Sequence, residues 1–312
     1  MDNSQDSLHL KTGGIRRRRE TLYRWILFAC TALTVLATLG IILVLVINAA
    51  KFFSEYSIWD FATGTRWSPT ISPTEFGVLP LVSGTLIITI GSALIALPIG
   101  VATAVYLSEF AGRRVRSVVK PFLEILAGVP TVVYGYFALV YITPVLQKFL
   151  PEVSTFNALS GAIVVGVMII PFVSSISEDA MSSVPDSLRE AAYGMGATKF
   201  EVTIRVVIPA ALSGIVASFI LAFSRAIGET MAVTIAAGQS PRMIDPSNLE
   251  ASLLKPIETM TAAMVNLGMS DVTGDSLAYQ SLFAVGLALF CITFVMNILG
   301  AYVSSRYKEQ YE

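Results

Sequence analysis

The chain has 312 residues, 54% of them hydrophobic and 14% charged, with a mean hydropathy of +0.70. These values exclude an ordinary soluble domain and identify an integral membrane protein. A net charge of −1 lends no support to nucleic-acid binding, and Cys30, Cys291 and His9 make no ligand set for a metal.

The polar and basic residues 1–21 read as a tail, and the stretch "IRRRRETLYR" introduces the first apolar run, Trp25 to Ala50. That run is 26 residues long, against roughly 7 to 15 for the apolar part of a signal peptide, so a retained anchor helix is expected. A helix needs about 20 apolar residues to cross a bilayer. Six segments within a membrane domain over 22–306 qualify: 25–50, 77–107, 117–146, 159–176, 209–237 and 277–304. Gly91, Pro98, Gly128, Pro130 and Pro144 predict kinks in the second and third. The third, around "LAGVPTVVYGYF", also reads as a short helix, a turn and a second helix.

Sorting Lys and Arg by side of the membrane gives a strong asymmetry. One side holds Lys11, Arg16 to Arg19, Arg24, Arg113, Arg114, Arg116, Lys120, Arg189, Lys199, Arg205, Arg306 and Lys308, while the other holds Lys51, Arg66, Lys148, Arg242 and Lys255. The positive-inside rule then places both termini, including the tail 307–312, in the cytoplasm. The connections 51–76 and 238–276 become outer loops, rich in Ser, Thr, Pro and acids.

On the cytoplasmic side, "SEDAMSSVPDSLREAAYGMGATKFEVTIRVVIP" holds two potential capping boxes, Ser187 with Glu190 and Thr198 with Glu201. They predict short helices over 187–193 and 198–207, with Gly194 and Gly196 at the turn and Pro185 favouring the first start. Ala191, Ala192, Gly196 and Ala197 give a low surface suited to close docking in a partner's groove, although a solvated linker is the plainer reading.

Arg225 is then the one basic residue inside a span. It lies 16 residues beyond Pro209, roughly 24 Å along a helix, and Glu229 follows four residues later, on the same face of an unbroken helix. An Arg at that depth costs about 2.5 to 3.5 kcal/mol on insertion scales. Either the two form an ion pair that fixes packing, or Arg225 serves an anion pathway, with Glu229 holding it in reserve and Ser224 and Thr230 adding hydroxyls. The residues do not separate a gate from a binding site. No nucleotide-binding loop and no catalytic constellation occur, so energy has to come from another subunit.

The segment "EAAYGMGATKFEVTIRVVIP" resembles the EAA loop of ABC importer permeases, with Glu190, Ala191, Ala192, Gly196, Ile208 and Pro209 at its characteristic places. "SRAIGETMAV" and "LAGVPTVVYG" are further similar to the phosphate-specific importers, in particular to their C-type rather than A-type permease subunit. The resemblance implies an all-α, six-helix, type I (MetI-like) permease of the bacterial inner membrane. It implies that Glu190, Ala191, Ala192, Gly196, Ala197 and Pro209, in a loop over 186–208, couple to an ATPase. It also implies that Arg225 and Glu229 serve phosphate translocation. The partners it implies are an A-type permease, two copies of an ATP-binding subunit carrying ATP and Mg, and an external phosphate-binding protein. The chain itself would bind no cofactor. Sulfate and molybdate are alternative cargoes, and a passive anion channel is a further alternative.

Overall fold

The computed structural model describes residues 14–306, and the tail expectations for 1–13 and 307–312 lie outside these. Contacts divide the chain into two compact units with the boundary after Asn48. Helix α1 (Gly14–Glu55) has 42 residues, roughly 63 Å at 1.5 Å per residue, longer than a bilayer core alone requires. It begins well before residue 21, because the Arg, Glu and Leu of its basic start are all good helix formers.

In the unit from Ala49 onward, the supposed loop 51–76 is folded. It holds α2 (Ile58–Thr63), capped by the Ser57 side chain, and a two-strand hairpin, β1 (Trp67–Ser68) with β2 (Glu75–Phe76), paired Trp67 to Phe76. Phe52, Phe61 and Phe76 are buried, and Phe52 meets the other two edge to face at 5.7 and 5.4 Å between ring centroids. Aromatic burial explains why a segment read as a connection is ordered.

Helix α3 (Leu79–Val105) continues through a π-helical turn to Phe110. Then come α4 (Arg113–Gly128), α5 (Thr131–Phe137), a second π-helical turn, and α6 (Thr143–Phe149). The expected third span is therefore two helices meeting at Val129 and Pro130. Thr131–Phe149 is the part long and apolar enough to cross. Pro130 has no N–H to continue the α4 ladder and holds Val129 extended.

Helix α7 (Ala158–Ser182) is the centre of the bundle. Its seam with α3 is cut by small residues. A Cβ at Gly100 would lie 2.7 Å from the Val173 Cβ, and one at Gly91 2.8 Å from the Ala162 Cβ. Such close backbone approach is how helices associate where lipid is as apolar as the side chains.

Beyond α7 come α8 (Asp186–Gly194) and α9 (Lys199–Val202), which runs through a third π-helical turn into α10 (Ile208–Ala210). A bend of 67° separates Lys199–Ala210 from α11 (Leu212–Ile227). The expected fifth span is broken again before α12 (Met231–Ala237). Residues 238–276 also hold structure, α13 (Leu249–Leu253) and α14 (Met260–Met269), ahead of the last helix α15 (Leu277–Arg306). Among the described residues five helices are long and apolar enough to cross a membrane, or six when the bent pair counts as one.

Candidate functional site

The sequence "SRAIGET" falls on the second break. Gly228 ends α11, its N–H bonding Ser224 O at 3.2 Å, and glycine is poor at continuing a helix. Glu229 is 8% exposed. Its carboxylate turns forward, Oε1 accepting from the Ala232 N–H at 3.2 Å, and thereby supplies a partner for an open amide at the start of α12. The Thr261 hydroxyl closes the other side, donating 2.7 Å to Glu229 O.

This corrects the expectation of a same-face pair on one continuous helix. Arg225 belongs to α11 and Glu229 to the break, and among the described residues no ion pair joins them. The Arg225 side chain is exposed and stands over the Phe172 ring of α7, 5.8 Å from the centroid. That contact leaves its planar fork of donors open. Ser224 is occupied, its hydroxyl donating to Asn297 Oδ1 of α15 at 2.9 Å, while Thr230 donates to Gly228 O at 3.2 Å. Both hydroxyls therefore shape the break rather than stand free beside the guanidinium.

The second candidate region is the elbow of α8 and α9. Its turn has Gly196 at φ +84°, where a side chain would be strained. The capping box at Thr198 forms: Glu201 Oε2 accepts from Thr198 N at 2.9 Å, and Thr198 Oγ1 accepts from Glu201 N at 3.4 Å. The bonds that this carboxylate accepts from the Thr198 N–H and from the Thr198 hydroxyl hold it below its ordinary value. The box at Ser187 does not form, because Pro185 takes the cap position and α8 begins at Asp186. Of the residues expected to couple to an ATPase, Glu190, Ala191, Gly196 and Pro209 are on the exposed side. Ala192 instead turns inward, joining Val184, Val202 and Val207 in a buried cluster against which Ala197 also packs.

Two features of this region were missed from the sequence. One is an apolar surface: Met195 is 84% exposed, and Tyr193, Phe200 and Ile204 lie open nearby in the chain. The other is a set of ion pairs that no short-range pattern reveals. Glu178, whose side chain is 1% exposed, accepts from Arg116 and, at 2.8 Å, from Lys120, both on α4. Arg189 of α8 reaches Glu109 at 3.1 Å.

A third site lies at the hairpin end. Glu258 is 2% exposed, and a cavity of about 230 Å³ opens beside it, lined also by Gln239, Asn266 and Ser270. Burial pushes its carboxyl up to about 6, against a hydrogen bond from Asn266 that pulls the other way.

Bent apolar helices, a folded elbow between the fourth and fifth spans and an open guanidinium on a broken span together define a multi-pass transport permease. Residues 96–309 match the family described as "Binding-protein-dependent transport system inner membrane component", and the chain belongs to that family. It is 35% identical over 295 residues to the probable ABC transporter permease protein YqgH of Bacillus subtilis, covering 94% of this chain and 93% of that one. It is 36% identical over 267 residues to the phosphate transport system permease protein PstC of Mesorhizobium japonicum, covering 80% and 79% respectively. The fold is shared with a bacterial ABC transporter involved in import of the acidic polysaccharide alginate, with a TM-score of 0.65 at 15% identity over 94% of this chain and all of that one.

Proposed function

We propose that this chain is a transmembrane subunit of an ATP-driven importer and that its cargo is inorganic phosphate. The observation that carries the reading is Arg225: a permanent cation on a membrane span, exposed and, among the described residues, without a carboxylate partner. Such a group has a high insertion cost and is retained where a ligand or water meets it. A guanidinium offers two parallel N–H donors to a tetrahedral oxyanion, and it stays charged throughout. Phosphate is chosen among the oxyanions because relatives at 30 to 36% identity are phosphate transport permeases.

In this reading the chain lies in the cytoplasmic membrane with both termini inside. A second, A-type permease faces the Arg225 side, and an external phosphate-binding protein delivers the anion to the hairpin end. Two copies of an ATP-binding subunit, holding ATP and Mg, seat on the elbow through Glu190, Ala191 and Gly196 and the open Tyr193, Met195 and Phe200. This chain binds no cofactor of its own. ATP closure moves the elbow, the bent helices follow, and access to Arg225 alternates between the two sides. Glu229 shapes the break that presents Arg225, and Ser224 anchors the end of α11 to α15.

The test is uptake of labelled phosphate into proteoliposomes holding the full complex. Arg225→Gln is expected to lower uptake about 100-fold, roughly 2.8 kcal/mol at 1.4 kcal/mol per decade, with the complex still assembled. Parental uptake by the variant refutes the role of Arg225, and stronger competition by sulfate or molybdate than by unlabelled phosphate refutes the choice of cargo.

A further inference from the structure

The junction between the elbow and the membrane helices is organised around one side chain. Arg189 sits in the first half of α8 with its side chain 14% exposed, and its guanidinium meets four acceptors from three elements. Nη2 donates to Glu109 Oε1 at 3.1 Å and to Met181 O at 2.9 Å; Nη1 donates to Val184 O at 2.6 Å and to Asp186 Oδ1 at 3.2 Å. Glu109 belongs to the π-helical turn that ends α3, 80 residues earlier in the chain, and its side chain is 6% exposed. Met181 and Val184 lie at and just beyond the end of α7, where carbonyls lose their partners along the helix.

Each end of this contact has a physical reason to be there. A cation is favoured at the C-terminus of a helix, and Arg189 supplies it to α7. The carboxylate of Glu109, drawn out of solvent, requires a charged donor, and Arg189 supplies that as well. A lysine has the charge but not the planar fork needed to serve two carbonyls and a carboxylate together.

We infer that Arg189 is the positioning residue that fastens the elbow to α3 and α7, so that displacement of the elbow is passed to both helices as one body. The inference rests on the reading of the elbow as the seat of an ATPase. It assigns Arg189 no contact with cargo or nucleotide, and it separates two jobs within α8: Glu190 and Ala191 face outward to the partner, while Arg189 faces inward to the membrane helices.

The experiment uses the full transporter in proteoliposomes with Arg189→Gln, Glu109→Gln and Arg189→Lys. Both glutamine variants are expected to keep their ATPase through purification and to hydrolyse ATP, but to move about 10-fold less phosphate per ATP, within the usual range of a coupling free energy. Arg189→Lys should fall between them and the parent. A substrate-free readout accompanies it: in a background with Cys30 and Cys291 replaced, spin labels at Ala102→Cys on α3 and Ser187→Cys on α8 report the distance across the fastening. In the parental chain ATP should leave that distance unchanged, and in Arg189→Gln ATP should shift or broaden it. A parental phosphate-to-ATP ratio in both glutamine variants, or a label distance in Arg189→Gln as steady as the parent's, overturns the fastening. Loss of the ATPase from Arg189→Gln overturns it too, by placing Arg189 in the docking surface. A parental chain that recruits no ATPase instead overturns the reading beneath it, and the fastening with it.

Discussion

The elbow and the Arg225 break both bring charge into confined surroundings, but they treat it in opposite ways. At the elbow end every buried carboxylate is answered: Glu178 by Arg116 and Lys120, Glu109 by Arg189. At the break, Arg225 is left open over an aromatic ring while Glu229, four residues on, is spent on capping α12. Paired charges fix the relative position of elements, whereas an unpaired one in a membrane span has binding capacity left over. The elbow end therefore reads as mechanics, and the break as chemistry.

That contrast can be broken by substitution. Arg225→Gln carries the largest expected effect on transport, the 100-fold loss of uptake, and should leave thermal unfolding of the detergent-purified complex near the parental temperature. Glu178→Gln should do the reverse in kind. It strands Arg116, leaves Lys120 with Asp179 at 3.2 Å, and is expected to cost about 3 kcal/mol, the low end for breaking a buried pair because Arg116 and Lys120 keep 40% and 33% of their side-chain surface exposed. A stable Glu178→Gln complex with defective uptake would move that cluster from mechanics to chemistry.

Glu258 tests the principle at the hairpin end, where among the described residues the buried carboxyl is met by the Asn266 amide and by no cation. Its value is raised from 4.5 to about 6, so the folded state holds its proton more tightly than the unfolded chain. Stability from this group is complete below about pH 4.5, and it declines as pH rises through 6. Glu258→Gln should therefore raise stability by about 2 kcal/mol at pH 7.5 and by almost nothing at pH 4.5. A gain equal at both pH values would show that packing rather than ionisation is responsible. The smallest effect is expected from Thr198→Ala, which removes half of the capping box and should cost about 1 kcal/mol, read as earlier unfolding of the elbow by hydrogen exchange.

Much of the helical architecture was legible because apolar length acts locally along the chain. Helices α3, α7 and α15 overlap the apolar segments at 77–107, 159–176 and 277–304, α7 running on to Ser182, and the turn at Gly196 and the cap at Thr198 followed from local chemistry. Breaks were harder to see. Gly228 alone did not signal a helix end, because the decisive partner, the Thr261 hydroxyl, arrives from 32 residues away. The hairpin end was mistaken for loops because its order comes from rings of Phe52, Phe61 and Phe76 that are separated in sequence. Arg189 escaped notice for the same reason. Its neighbours Glu190 and Ala191 form a recognisable pattern, but the partner that gives Arg189 its meaning lies at residue 109.

The break in the fifth span also has a consequence for water. A helix interrupted between two membrane faces leaves backbone groups that no longer pair along the chain, and hydrocarbon offers them nothing in return. Thr261 covers Glu229 O, and any group at the break that lacks such a partner needs water or another polar group in its place. On the proposed function, residues 225–231 are the depth at which an aqueous path replaces the bilayer, independently of what travels along it.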